Sequence, residues 1–285
     1  MVPILIDGIV YGLQLSLLAV GITLIYGLGG VLNLAHGQFA VVAGVAAALL
    51  MGNGMGAAPA SFLGVAAAGI FGLLIDRSLL VPAYRYRGEE RLLLGLVLTL
   101  GLSFVIDGYL NLSHPNVSLT IRLPMPSLTV LGITIRSAAV VTSLLAILAF
   151  GLLFLFLRGT LLGKAIRSII QNEVGAELCG ISPSRTRTLI VALSGLLAGL
   201  AGVAQGLFSS LGTEMGVEFT ILALIVAVVG GVRSINGTFV AGILLGVVNA
   251  LASYYMGAYV TLIILLGAAM LTILIRPSGL LAYWT

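Results

Sequence analysis

From residue 137 to residue 157 the chain carries no charged side chain and no proline, and eight further stretches are nearly as apolar. A helix needs about 20 apolar residues to cross the hydrocarbon core of a bilayer. By that measure the candidate spans are 4–28, 34–51, 57–75, 92–110, 137–157, 189–208, 219–232, 237–255 and 258–275. Only 8% of the residues are charged, against about a quarter in soluble domains. A soluble fold of 285 residues has no interior large enough to hide this much apolar surface. Lipid offers no hydrogen-bond partners, so backbone groups must pair within helices. The expected fold class is an all-α integral membrane protein, a polytopic bundle of about 8–10 transmembrane helices in one domain, 1–285. Span 219–232 is short and 34–51 opens inside a polar run, so both are expected to be broken or re-entrant.

Charge sets the orientation. Arg77, Arg85, Arg87 and Arg91 share one connection, and Arg158, Lys164, Arg167, Arg185 and Arg187 share another. Arg233 and Arg276 sit at later turns, and only Arg122 and Arg136 lie between spans 92–110 and 137–157. The positive-inside rule puts the larger set in the cytoplasm, with the N-terminus outside and the C-terminus inside. The first 30 residues lack a positive n-region and read as a retained span rather than a signal peptide. Cys179 is the single cysteine, which excludes an intrachain disulfide and a Cys-rich metal site. The excess of basic residues forms no stripe interleaved with aromatics, so nucleic acid is not an expected partner.

Enzyme signatures are missing. The run Gly159 to Ala165 imitates a phosphate loop but has three residues between its glycines and Ala after Lys164, so it lacks the hydroxyl that would hold Mg²⁺. No catalytic residue, metal or cofactor is expected. Asp7, Asp76 and Asp107 fall near the ends of their spans, and no carboxylate or lysine sits at a span's centre. Proton-driven transporters place such groups in the membrane despite the cost. Three classes stay open: a passive channel, a permease powered by another subunit, and backbone-coordinated sodium coupling.

The polar stretch 158–187 contains an amphipathic pattern over 163–181. Ile166, Ile169, Ile170, Val174 and Leu178 make one apolar stripe at helical steps, with Arg167, Asn172, Glu173 and Glu177 elsewhere. Gly180 is placed to stop the helix and Pro183 to prevent its continuation. It reads either as a linker lying on the membrane or as a short helix docking in a partner's groove. A second pattern is an echo: Gly37-Gln38-Phe39 and Gly237-Thr238-Phe239 each follow a double glycine and a nearby Asn, Asn33 and Asn236. It is either a weak internal repeat or coincidence, and by charge both turns lie on one side. Gly195/Gly199, Gly202/Gly206 and Gly242/Gly246 are small-residue ridges for close helix packing, within the subunit or against a second one. Gln205 and Asn249 either line a pathway or cross-link helices.

The run Gly30 to Phe39, with Asn33, Ala35, His36 and Gly37, resembles the Asn-x-Ala-His-Gly motif of permeases of branched-chain amino acid ABC importers, the LivH type. Gly163 to Arg167 with Asn172, Ala176, Gly180 and Ile181 is similar to their cytoplasmic coupling segment. Leu197 to Val203, Val229 to Gly237 and Arg276 to Leu281 extend the resemblance along nearly the whole chain. The resemblance implies a subunit of the bacterial inner membrane that hydrolyses nothing itself. Its implied partners are a second homologous permease, two cytoplasmic ATP-binding subunits, a periplasmic solute-binding protein and membrane lipid. Branched-chain or related amino acids, or small amides such as urea, are the implied solutes. On this reading Asn33, His36, Gly37, Gln38, Asn236 and Gly237 belong to the substrate pathway, with His36 either a structural hydrogen-bond partner or a solute contact. Arg167, Ile170, Asn172, Glu173, Val174, Ala176 and Gly180 serve ATPase coupling. Arg122, Arg136, Glu214 and Glu218 serve docking of the binding protein. The competing reading is a self-sufficient homo-oligomeric channel for a small neutral solute.

Overall fold

The computed structural model describes residues 1–86, 88–114, 118–121, 126–130, 133–276 and 278–279. Arg87, Arg122 and parts of the closing motif, at 277 and 280–281, lie outside the described residues. In chain order the helices are α1 (Val2–Gly29), α2 (His36–Gly52) and α3 (Ala57–Ile75), then a π-helical turn (Asp76–Leu80) running into α4 (Val81–Ala83). They continue with α5 (Gly88–Ser113), α6 (Ser137–Gly159), α7 (Leu161–Gln171), α8 (Glu173–Leu178) and α9 (Pro183–Phe208). The last are α10 (Gly216–Gly230), α11 (Ile235–Met256) and α12 (Ala258–Ile275). Among the described residues seven helices are long and apolar enough to cross a membrane, and α2 and α10 are shorter apolar helices. Together they account for the nine spans read from hydropathy.

Local chemistry sets the helix ends. Pro3 and Pro183 stand in the first turns of α1 and α9, where a missing N–H costs nothing. Gly30, at φ 58°, closes α1 by turning its N–H onto the Tyr26 carbonyl at 2.9 Å. The Ser234 hydroxyl caps α11 by accepting the Gly237 N–H at 3.1 Å.

α1 and α9 form the centre, with 89% and 72% of their spanning windows buried, whereas α5 and α12 reach 22% and turn apolar faces outward to lipid. Lipid tails are as apolar as Leu, so close packing rather than water exclusion must hold the bundle together. The glycine ridges supply it inside this one subunit. Gly242 and Gly246 of α11 lie on Ser16 and Gly12 of α1, Gly195 of α9 on Ala68 of α3, and Gly202 of α9 on Ala40 of α2.

Thr188 at the start of α9 bonds Asp76 at the end of α3, and Arg91 at the start of α5 bonds Glu173 of α8. Ile170 of α7 packs beside Gly27 at the end of α1. These contacts gather the basic residues at one end of the bundle, the arginine-rich end. At the opposite end, marked by Asp7, β1 (Ser118–Leu119) pairs antiparallel with β4 (Leu211–Gly212), and β2 (Leu128–Val130) pairs with β3 (Ile133–Ile135).

The segment 163–181 is not the single helix that its apolar spacing predicts. Asn172 is extended at φ −157°, and its side-chain oxygen accepts the Gly175 N–H at 2.9 Å. It ends α7 and starts α8, because an Asn that can cap competes with the helix it stands in. Gly180 does stop α8, at φ 82°.

Candidate functional site

Two broken helices meet inside the bundle. After Gly30 the chain turns back, and α2 begins at His36 beside the middle of its neighbours. The His36 Nε2 lies 3.0 Å from the Leu18 carbonyl of α1, and the Leu34 N–H donates to Thr99 Oγ1 of α5 at 2.9 Å. From the other side residues 209–215 lead into the bundle, and α10 begins at Gly216 against the same turn. The Gly37 N–H donates to Thr220 Oγ1 at 2.9 Å, and that hydroxyl donates on to backbone carbonyls, Gly216 at 3.0 Å or Leu34 at 3.2 Å. A Cβ at 37 would collide with the Gly216 carbonyl and stand 2.7 Å from the Thr220 nitrogen. The N-termini of α2 and α10 therefore converge, each carrying the positive end of a helix dipole and backbone N–H groups without helical partners.

The side chains at this junction are buried and polar. The Asn33 oxygen accepts the Ala35 N–H at 2.9 Å, and its amide nitrogen has no partner among the described residues. The Gln38 amide donates to Ser103 Oγ at 3.2 Å and Asp107 Oδ1 at 3.0 Å, while its oxygen has no partner among the described residues. A buried polar atom left unpaired costs about 1–3 kcal/mol, so each of these two atoms calls for a partner. His36 is fully buried between α1 and α9. Its Nε2–H donates to Leu18, and Ser194, which donates to the Gly21 carbonyl, sits 3.4 Å from its Nδ1. That is a cross-linking role.

The two glycine echoes do not lie at one level. Gly237 packs on Gly230, so Gly37 holds the first turn of α10 and Gly237 its last, about 21 Å apart at 1.5 Å per residue. Asn236, half-buried next to Gly237, stands with it at the arginine-rich end. Glu218 is not a loop charge: it is exposed on the first turn of α10, near the junction. Asp107 is likewise well inside α5, which runs further than its hydropathy indicates. Glu214 is exposed in the turn before α10.

At the arginine-rich end Glu173 points inward. It is ion-paired with Arg187 of α9 and, at 3.4 Å, with Arg91 of α5. Partial burial alone would raise its carboxyl pKa, but the charge and hydrogen bonds of Arg187, then of Arg91, outweigh this and hold it below the ordinary value. The Arg187 guanidinium also stacks 4.7 Å over Tyr84. Arg167 is exposed and donates to the Leu157 carbonyl. Ile166, Ile169 and Ala176 are buried and Ile170 is half-buried, whereas Val174 and Leu178 stay exposed. The apolar stripe divides at Asn172, its first part serving the subunit's interior.

At the Asp7 end a cavity of about 390 Å³ opens between α1, α9 and α11. Tyr11, Gln205, Asn249 and Ser253 supply its polar wall, so Gln205 and Asn249 do come together. Asp7 on its rim is ion-paired with Arg136 at 3.2 Å, and Arg136 stacks 4.5 Å over Phe208. Thr220, Thr99 and Ser194 escaped the sequence reading. Their signal was a lone hydroxyl in an apolar run, which is common in helices that merely bond their own backbone.

Comparison with known proteins bears on this geometry. The family model described as branched-chain amino acid transport system, permease component, matches residues 4–274. The high-affinity branched-chain amino acid transport system permease protein LivH of Escherichia coli K12 is 27% identical, over 96% of this chain and 93% of its own. The corresponding permease BraD of Pseudomonas aeruginosa is 30% identical, over 97% and 94%. Among solved structures, PsaBC from Streptococcus pneumoniae in complex with Fab superposes with a TM-score of 0.53 at 14% identity, covering 95% of this chain and 91% of that one. That likeness is one of fold.

Proposed function

This chain belongs to the family of branched-chain amino acid transport system permease components, and from that premise we propose that it forms the membrane route of an ATP-driven importer for branched-chain or related amino acids, or small amides such as urea. The observation that carries the reading is the convergence of the α2 and α10 N-termini on Gly37, Gln38 and Thr220, with the Asn33 and Gln38 amides each keeping one unpartnered atom. Broken helices at mid-depth offer a solute backbone groups and dipole ends that continuous helices withhold. Glu218 deepens the reading. A carboxylate facing lipid is costly, so this face of α10 is best matched by water or a second permease.

The solute enters at the Asp7 end, through the cavity walled by Gln205 and Asn249, with Arg136 and Glu214 at the surface that receives a binding protein. The arginine-rich end faces the cytoplasm of a bacterial inner membrane, with the N-terminus outside and the C-terminus inside. There α7 and α8 receive one of the two ATP-binding subunits, with Val174 and Leu178 as the apolar anchors. Glu173 ties α8 to α5 and α9, so a push on α8 reaches helices that line the junction. ATP is hydrolysed on the partner subunits, and access alternates on this one.

Reconstitution tests this reading. Proteoliposomes holding this chain, its second permease, the ATPases and the binding protein are expected to concentrate radiolabelled leucine only with hydrolysable ATP. Equilibrating uptake by this chain alone would establish the channel instead.

A further inference from the structure

A cavity of about 530 Å³ lies at the arginine-rich end, between the π-helical turn after α3 and the first turns of α9. Arg77, Ser184, Arg185 and Thr188 line it together with Leu189 and Ala192. Both arginines are exposed, and neither is in an ion pair among the described residues. The nearby carboxylate, Asp76, is fully buried, receives the Thr188 hydroxyl at 2.6 Å and feels the positive charge of Arg77, whose guanidinium remains exposed. The two ion pairs of this end among the described residues are centred on Glu173, with Arg91 and Arg187.

We propose that this cavity is a binding site for the phosphate headgroup of an anionic phospholipid. One group that is negative at its head and apolar in its body matches both halves of the lining. Arg77 and Arg185 offer planar guanidinium donors for phosphate oxygens, and Ser184 adds a hydroxyl. Leu189 and Ala192 lie one and two turns further into α9, where an acyl chain would run along the helix. Basic pockets between transmembrane helices recognise lipid headgroups by this combination. A free phosphate would satisfy the arginines and leave the apolar half wet. The site also adjoins the coupling network, since Thr188 is next to Arg187, the partner of Glu173. Occupancy fixes the start of α9 beside α8.

The test is native mass spectrometry of the purified importer, released from nanodiscs of phosphatidylcholine with or without phosphatidylglycerol. Retention of phosphatidylglycerol on this subunit is expected, and Arg77→Gln with Arg185→Gln should weaken it about thirtyfold, at about 1 kcal/mol per charge. Ala192→Phe, which fills the apolar half and keeps both charges, should weaken it too. Thermal unfolding of each variant in lipid-free detergent checks that the fold survives. Equal retention of phosphatidylcholine, unchanged retention by the charge variant, or displacement of the lipid by excess inorganic phosphate would each overturn the assignment.

Discussion

The Gly37 N–H donates to Thr220 Oγ1 across 2.9 Å, joining the first turn of one broken helix to the first turn of the other. This bond passes between residues 183 positions apart in sequence. Removing its acceptor with Thr220→Val leaves a buried N–H unpaired and should cost about 1–3 kcal/mol of stability, whereas Thr220→Ser should keep it. Gly37→Ala forces a Cβ onto the Gly216 carbonyl, and overpacking of that kind also costs about 1–3 kcal/mol. Thermal unfolding in detergent and uptake should both fall for Thr220→Val and Gly37→Ala. Equal melting and uptake for Val and Ser at 220 would show that the bond contributes nothing.

The Glu173 clasp has a defined pH window. Its folded-state pKa is depressed, so its stabilisation is fully present above the ordinary carboxylate value of 4.5 and is lost as pH falls through the lower folded value. Protease accessibility of the α7–α8 region should therefore be flat through neutral pH and rise only in acid. Glu173→Gln should be open at every pH. A protection profile that is the same in both proteins would remove the clasp.

Orientation is readable from the native thiol. Cys179 is exposed just after α8. An impermeant maleimide should miss it in intact cells and label it in inverted vesicles, while Ser253→Cys in a Cys179→Ser background should react from outside. The reverse pattern would invert the membrane topology.

The cavity at the Asp7 end should matter for entry rather than folding. Gln205→Leu and Asn249→Leu each replace a polar wall with an apolar one, so uptake should drop several-fold while melting temperature and subunit composition hold. Unchanged uptake in the double variant would take the cavity off the solute's path.

Hydropathy and the positive-charge distribution were enough to read all nine apolar helices, because both follow from the cost of placing charge and bare backbone in lipid. The break at Asn172 was not, since a capping side chain and an exposed helix residue look alike in sequence. Nor was the inward turn of Glu173, which depends on Arg91 and Arg187 arriving from distant helices. The glycine echo marked two turns that both pack on α10 but not their levels, because nothing local in Gly37 or Gly237 states which end of α10 it will meet. His36 stood out by rarity, and the structure gives it a cross-linking place between α1 and α9.

The central claim is that ATP hydrolysis on another subunit drives this chain through α7 and α8, where two residues of the apolar stripe remain exposed for the contact. Val174 is 60% exposed and Leu178 is 85% exposed, while the other stripe residues are turned inward. Burying each against a partner is worth about 1.5–3 kcal/mol, so losing both should speed dissociation greatly. The most direct measurement is co-purification of the ATPase subunits with Val174→Asp plus Leu178→Asp, read beside ATP-driven leucine uptake. The subunit should insert and melt like the wild type, because neither side chain is packed inside it, and should lose both its ATPases and its uptake. Retention of the ATPases with full uptake would contradict coupling through this surface.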